Sequence, residues 1–455
     1  MGVFDSSDDE SDGGFQANVH GKEAATSLNN SRWNAVTTRV RLFIDHKSPE
    51  MISDLRNEVG EEVLAKTFEL ANANFSKHAF EEAITQCTQC CEAAWAKLLE
   101  NGRWPHRAWN ELFVLSRMLL AASSLLLGSF IESVQSADYA FIMGAPKEET
   151  NLFFRLVDDE ARRQRNAAAP VPSLGRMLPG REDRQKWTLE PEAMRGFVKE
   201  FSPAAKLTPV ARLAGDSLPQ VKTACAGNTA VIFENLVSTW PALEKWRNLD
   251  FLAEYSHRVV PVEVGGSLKH MNEKAMDLGK FLRDWLVPAC EPAVPGHDVA
   301  YLAQHNLFDQ LPDLRRDFSC PTICSHDGNS LVTSSVWLGT DKTVTLLHFD
   351  SYDNLLVQVA GFKYVVLFPV DQNDKLYLQN GDEALGLLSQ GNTSKVNISE
   401  PDLASMPAYA DAQGTCTILG PGDTLFIPQG MWHYVRSLTP SLSVNFWFQT
   451  ASDDE

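Results

Sequence analysis

Thr343-Val-Thr-Leu-Leu-His-Phe-Asp350 is the stretch on which the fold turns. Its β-branched and apolar residues predict a strand. His348 and Asp350 stand two apart, so alternation of side chains sends both to one side, with Phe349 pointing away. A second stretch, Phe426-Ile-Pro-Gln-Gly-Met-Trp-His433, follows Gly420-Pro-Gly-Asp423 and brings another imidazole to the start of the strand-like run Tyr434-Val-Arg-Ser-Leu438. Two histidines and one carboxylate on one face would hold a metal and leave roughly three octahedral positions open. A lone His-x-Asp pair occurs by chance in many chains, as a strand-end histidine beside a solvated aspartate.

The neighbours weigh against the chance reading. Asn354 and Lys363 lie on the apolar runs Leu355–Val359 and Lys363–Pro369. Lys363 opens a run too apolar for a surface strand, and a lysine is almost never buried without an anionic partner. A bound dicarboxylate such as 2-oxoglutarate would provide that partner. With the two imidazoles and the carboxylate, this is the arrangement of non-haem Fe(II) oxygenases.

His348-x-Asp350, Asn354, Lys363 and Pro428-x-x-x-Trp-His433 together resemble the Jumonji-C 2-oxoglutarate oxygenases. Tyr301-Leu-Ala-Gln-His305 followed by Leu307-Phe-Asp-Gln-Leu-Pro312 is closer still, to a branch described both as arginyl hydroxylases and as lysine demethylases. Trp240-Pro241, Trp246, Val260–Val264 and Ser441–Trp447 extend the resemblance over most of 206–450. It implies Fe(II) held by His348, Asp350 and His433, with O2 and 2-oxoglutarate as co-substrates. It implies further that Lys363, Tyr301, Thr345 and Asn354 bind 2-oxoglutarate, and that Glu263, Gln304 and Trp337 face the substrate. Taken alone, Glu263 reads as an outward-facing strand residue and Trp337 as core.

The 455 residues suffice for two or three domains, and an apolar fraction of 44% supplies ample core. A net charge of −19 argues against direct nucleic-acid binding; it suits a basic partner such as an Arg- or Lys-rich tail, and equally a merely solubilising surface, while the resemblance implies an arginine-containing protein or peptide such as a histone tail. No run approaches transmembrane length, so no membrane is expected, and nothing resembles a signal peptide. The eight cysteines are scattered, so reduced thiols and a nuclear or cytoplasmic location are expected. Cys87-x-x-Cys90 lacks a second pair at zinc spacing.

The expected architecture is α+β, an all-α domain followed by a double-stranded β-helix of cupin type. Residues 1–30 read as a disordered acidic tail with Ser6, Ser7 and Ser11 open to acid-directed kinases, and 31–160 as antiparallel helices. Residues 161–205 read as a mobile linker with one short helix near Pro191–Phe201, and 206–455 as the catalytic domain of short strands. Gln372–Ala412 reads as an irregular insertion able to form part of a substrate cleft. Three functions compete. A peptidyl-arginine hydroxylase and a methyl-lysine demethylase share the metal chemistry. The third is a non-catalytic peptide-binding module, which an intact ligand triad and Lys363 argue against.

Overall fold

Short β-branched and aromatic runs, cut by Gly and Pro turns, build two sheets over the C-terminal half of the chain. The computed structural model describes residues 30–101, 105–168, 172–187, 204–215, 218–265, 272–291, 298–326, 328–379 and 391–450. Among these the strands are β1 (Lys206–Pro209), β2 (Ala211–Leu213), β3 (Val231–Phe233), β4 (Val259–Gly265), β5 (Asn272–Asp277), β6 (Val299–His305) and β7 (Ser330–Gly339). They continue with β8 (Val344–His348), β9 (Asp353–Ala360), β10 (Lys363–Phe368), β11 (Gln413–Leu419), β12 (Thr424–Ile427), β13 (Trp432–Ser437) and β14 (Ser441–Gln449).

The small sheet runs β1-β11-β10-β13-β8 and the large one β2-β3-β12-β9-β14-β7-β6-β4-β5. Apolar residues of both meet between them: Ile232, Leu356 and Leu425 from the large sheet, Val365, Leu367 and Val435 from the small. Two faces packed together at sheet distance exclude water over most of this interior. The interior opens at one end into the cleft described below. The outer face of the large sheet is covered by Trp240, Trp246, Phe281 and Phe308. That of the small sheet is covered by Val396, Ile398 and Tyr409, from the insertion. The described part of 372–412 thus packs behind the small sheet, and none of it lines the cleft.

Ahead of the sheets lie the helices α1 (Asn30–Asp54), α2 (Glu62–Ser76), α3 (Phe80–Asn101), α4 (Arg107–Leu126), α5 (Phe130–Ile142), α6 (Lys147–Leu156) and α7 (Asp158–Ala168). α4 is buried along nearly its whole length and forms the centre of the bundle. Gly144 ends α5 at φ +96°, a left-handed turn that glycine takes without a side-chain clash. Gly144-Ala-Pro146 therefore stops the helix. An α+β chain with a helical N-terminal region and a cupin-type jelly roll is what the structure holds.

Two expectations change. The boundary at 160 falls inside α7, and 172–187 is docked rather than mobile. Leu178 is fully buried, its N–H donates to the Arg247 carbonyl (2.8 Å), and Pro179 O accepts from Gly361 N–H (2.7 Å). Arg184 reaches the buried Asp423 carboxylate at 2.9 Å. Strands β1, β2 and β5 were not foreseen. They are polar or exposed and are defined by pairing: β1 on β11, β2 on β3, β5 on β4. The tail and the helix expected near Pro191–Phe201 lie outside the described residues.

Candidate metal and co-substrate site

His348 ends β8 and His433 stands second on β13, and the two residues are register partners across the small sheet. Asp350 lies just past the strand end rather than on it. Its backbone turns so that the carboxylate sits 3.6 Å from both Nε2 atoms, Oδ1 toward His348 and Oδ2 toward His433. Phe349 points to the other side and packs edge-on against Trp432, 4.8 Å between centroids. The alternation read from the sequence thus holds through the turn.

Each imidazole is oriented by its own backbone. His348 Nδ1 lies 2.8 Å from the Leu346 carbonyl and His433 Nδ1 lies 3.0 Å from that of Met431. A carbonyl only accepts, so both Nδ1 atoms carry the proton and both Nε2 lone pairs face the carboxylate. Burial, and then the neighbouring His348, push the His433 pKa down to about 4, which keeps that ring neutral. One ligand atom from each residue falls within 4.8 Å of the others. This is the only such group of three among the described residues, and its donors fit a divalent transition metal.

Around the triad lies a cleft of about 430 Å³, lined among others by Tyr301, Gln304, Trp337, Thr345, Asn354 and Lys363. Lys363 is 2% exposed and meets no carboxylate among the described residues. Its Nζ has only the Tyr301 hydroxyl, at 3.5 Å, and burial lowers its pKa from 10.5 to about 7. A buried amine in that state favours an arriving anion. Tyr301, beside Thr345, has its own space requirement. Gly339 is its register partner, and a Cβ there would stand 2.7 Å from the tyrosine ring.

Of the substrate-facing candidates, Trp337 and Gln304 line the cleft and Glu263 does not. Glu263 sits one strand outward, opposite Tyr301 on β4 and opposite Glu273 on β5. Residues directly opposite in an antiparallel pair share a face, so its side chain stands on the Tyr301 side of the sheet, outside the cleft lining. Burial, then Glu273, raise its pKa to about 7. Gln304 occupies a bulge of β6, between the pairs of Leu302 and His305 with β7, at φ +48°. A non-glycine residue there stores about 1–3 kcal/mol of strain and needs its surroundings to hold it.

Asn445 and Trp447 were not anticipated. Both line the cleft; Asn445 is 1% exposed, its Oδ1 accepts from Trp337 Nε1 (3.0 Å), and its Nδ2 has no partner among the described residues. Among the same residues, Trp447 Nε1 and Asn354 Oδ1 are likewise buried without partners. Such orphans are expected where a polar ligand belongs. Asn445 continues the polar alternation Ser441, Ser443, Asn445, so the sequence offers it no signal like that of Lys363.

The geometry agrees with what the chain resembles. Residues 219–454 match the model of the cupin-like domain family. JmjC domain-containing protein F of Dictyostelium discoideum is 30% identical over 82% of this chain and 89% of its own. Jumonji C domain-containing protein 5 of Drosophila melanogaster is 31% identical over 66% and 77%. Lysine-specific demethylase JMJ30 of Arabidopsis thaliana is 30% identical over 80% and 85%. The likeness runs past the sheets into the helical region, and the family generally works with Fe(II) and 2-oxoglutarate. On this cleft, this ligand triad and these relatives together, the chain belongs to the Jumonji-C oxygenases of the cupin-like family.

Proposed function

We propose that the chain hydroxylates an arginine side chain of a basic protein or peptide, with Fe(II) held by His348, Asp350 and His433. With 2-oxoglutarate bound, the chemistry supplied is its oxidative decarboxylation to succinate and CO2, coupled to insertion of one oxygen atom of O2 into a C–H bond. The residues provide everything else. Leu346 and Met431 carbonyls fix the two rings so that their lone pairs converge. Lys363 takes its proton as it meets the far carboxylate of 2-oxoglutarate, with the Tyr301 and Thr345 hydroxyls as further donors. Asn354, which lines the same cleft, would also hold the co-substrate. Leu356, Ile427 and Val435 keep water from the reacting atoms.

The observation that carries arginine is Glu263 with Trp337. A half-buried carboxylate with no hydrogen bond or ion pair among the described residues, with an indole in the cleft two strands away, suits a planar cation that stacks on the ring and donates two parallel hydrogen bonds to the carboxylate. Trp337 is oriented for stacking by Asn445.

A second reading has support of its own, because relatives from Arabidopsis thaliana and Xenopus tropicalis are named lysine-specific demethylases. A methyl-ammonium would also meet Glu263, and the same chemistry at an N-methyl group releases formaldehyde. Mass spectrometry of basic peptides, histone tails included, incubated with Fe(II)-loaded protein and 2-oxoglutarate separates the two. A gain of one oxygen on arginine is the expected result. Loss of a methylene with formaldehyde would establish the demethylase instead.

A further inference from the structure

We infer that the helical layer is part of the catalytic unit, with Asp138 of α5 as a positioning residue for the substrate wall of the cleft. Its connection to Glu263 and Gln304 rests on the function proposed above; its connection to β4 and β6 does not. Asp138 is fully buried and grips the start of β4 at three points. Oδ1 accepts from Arg258 Nη2 (2.5 Å), and Oδ2 accepts from Arg258 Nε (2.9 Å) and from the Val259 N–H (2.9 Å). Arg258 is itself fully buried, lies 4.7 Å from the Phe154 ring centroid of α6, and reaches Asp158 of α7 at 3.2 Å. Asp158 also bonds His257 (2.9 Å), and Gln135 of α5 donates to the His257 carbonyl (2.9 Å).

The chain of bonds continues into the cleft wall. Val259 O accepts from Gln310 Nε2 (2.6 Å), and Gln310 Oε1 accepts from His305 Nε2 (2.7 Å). Phe141 of α5 stands edge-on to the His305 ring, 6.0 Å between centroids. His305 directly follows Gln304, the residue at positive φ that faces the cleft. β4 carries Glu263, and β6 carries Tyr301 and Gln304. One buried polar network therefore joins α5 and α7, with Phe154 of α6 packed against it, to both strands of the substrate wall. The histidine ligands stand on β8 and β13, in the other sheet. Loosening the network should move the wall and leave the metal where it is.

The test is Asp138→Asn in the full chain, which leaves Arg258 with one fewer anion. Hydrogen exchange should speed at least about tenfold across 259–265 and 299–305 and stay unchanged across 344–348 and 432–437. Affinity for Mn(II), whose histidine ligands lie in the other sheet, should stay within about twofold, while KM for a turned-over peptide rises about tenfold with kcat nearly constant. Exchange rising equally in both sheets, or Mn(II) affinity falling together with peptide affinity, would reduce Asp138 to a general stabiliser and overturn the inference. Unchanged exchange in β4 and β6 would overturn it as well. Should Asp138→Asn fail to fold, Phe141→Leu reads the same arm more gently, with faster exchange confined to 302–305 expected and uniform or absent change refuting. The exchange readout needs no substrate, so it stands even if no arginine peptide is turned over.

Discussion

Replacing Lys363 by methionine should stabilise the ligand-free protein and cripple co-substrate binding at once. An unfolded lysine keeps its proton to about pH 10.4, whereas in the fold burial lowers the pKa to about 7. Between those values the unfolded chain binds more protons, so raising pH favours the folded state. At pH 7 the gap of more than three units makes burying this amine cost about 4 kcal/mol, and at pH 9 about 2 kcal/mol. Methionine fills nearly the same space without that cost. The metal-free variant should therefore melt on the order of 5–10 °C above the parent at pH 7, with about half the advantage left at pH 9. In the bound state the sign reverses. A buried carboxylate left without its cation costs about 3–5 kcal/mol, so 2-oxoglutarate should bind at least about a hundredfold more weakly. Differential scanning fluorimetry at the two pH values and calorimetric titration with Mn(II) and 2-oxoglutarate give both numbers. A variant that melts lower at both pH values while binding 2-oxoglutarate normally would refute the reasoning, because Lys363 would then be a satisfied structural residue.

Other expectations follow from the same cleft. His348→Ala should abolish Mn(II) binding by calorimetry while shifting metal-free stability by no more than about 1 kcal/mol, since the ring is only partly buried. Glu263→Gln should raise KM for an arginine peptide by about 10–100-fold, the loss of a charge-assisted hydrogen bond, and leave 2-oxoglutarate affinity unaltered. Because Glu263 titrates near 7, peptide affinity in the parent should weaken as pH falls through 7, and steady-state kinetics of the Gln variant should lose that slope. Gln304→Val should destabilise by about 2 kcal/mol because a β-branched side chain fits positive φ poorly, whereas Gln304→Gly should be neutral or better in chemical denaturation.

Much of the site was legible in the sequence because its chemistry breaks local rules. Lys363 announces itself as a charge in an apolar strand, and His348 with Asp350 announces itself through two-residue alternation. Asn445 broke no such rule: with Ser441 and Ser443 it continues an ordinary polar alternation, and only the tertiary structure shows it inside the cleft. β1, β2 and β5 offered no such signal. Their residues are polar or exposed, and what makes them strands is the hydrogen bonding of neighbours distant in the chain. The docking of 172–187 escaped notice for a related reason, since its partners Arg247, Asp250 and Asp423 lie at least sixty residues away.

The order of apolar runs and turns, the out-of-place polar residues and the family resemblance together pointed to a jelly roll with His348, Asp350, His433 and Lys363 gathered in one place. Tertiary structure alone decided where Glu263 stands, that Gln304 is held at positive φ, and that Asp138 of the helical layer braces both. The physical reason is reach. Alternation and burial act over neighbouring residues and are written in local pattern, whereas the bonds from Asp138 to Arg258 and from Gln310 to His305 exist only once separate elements have packed.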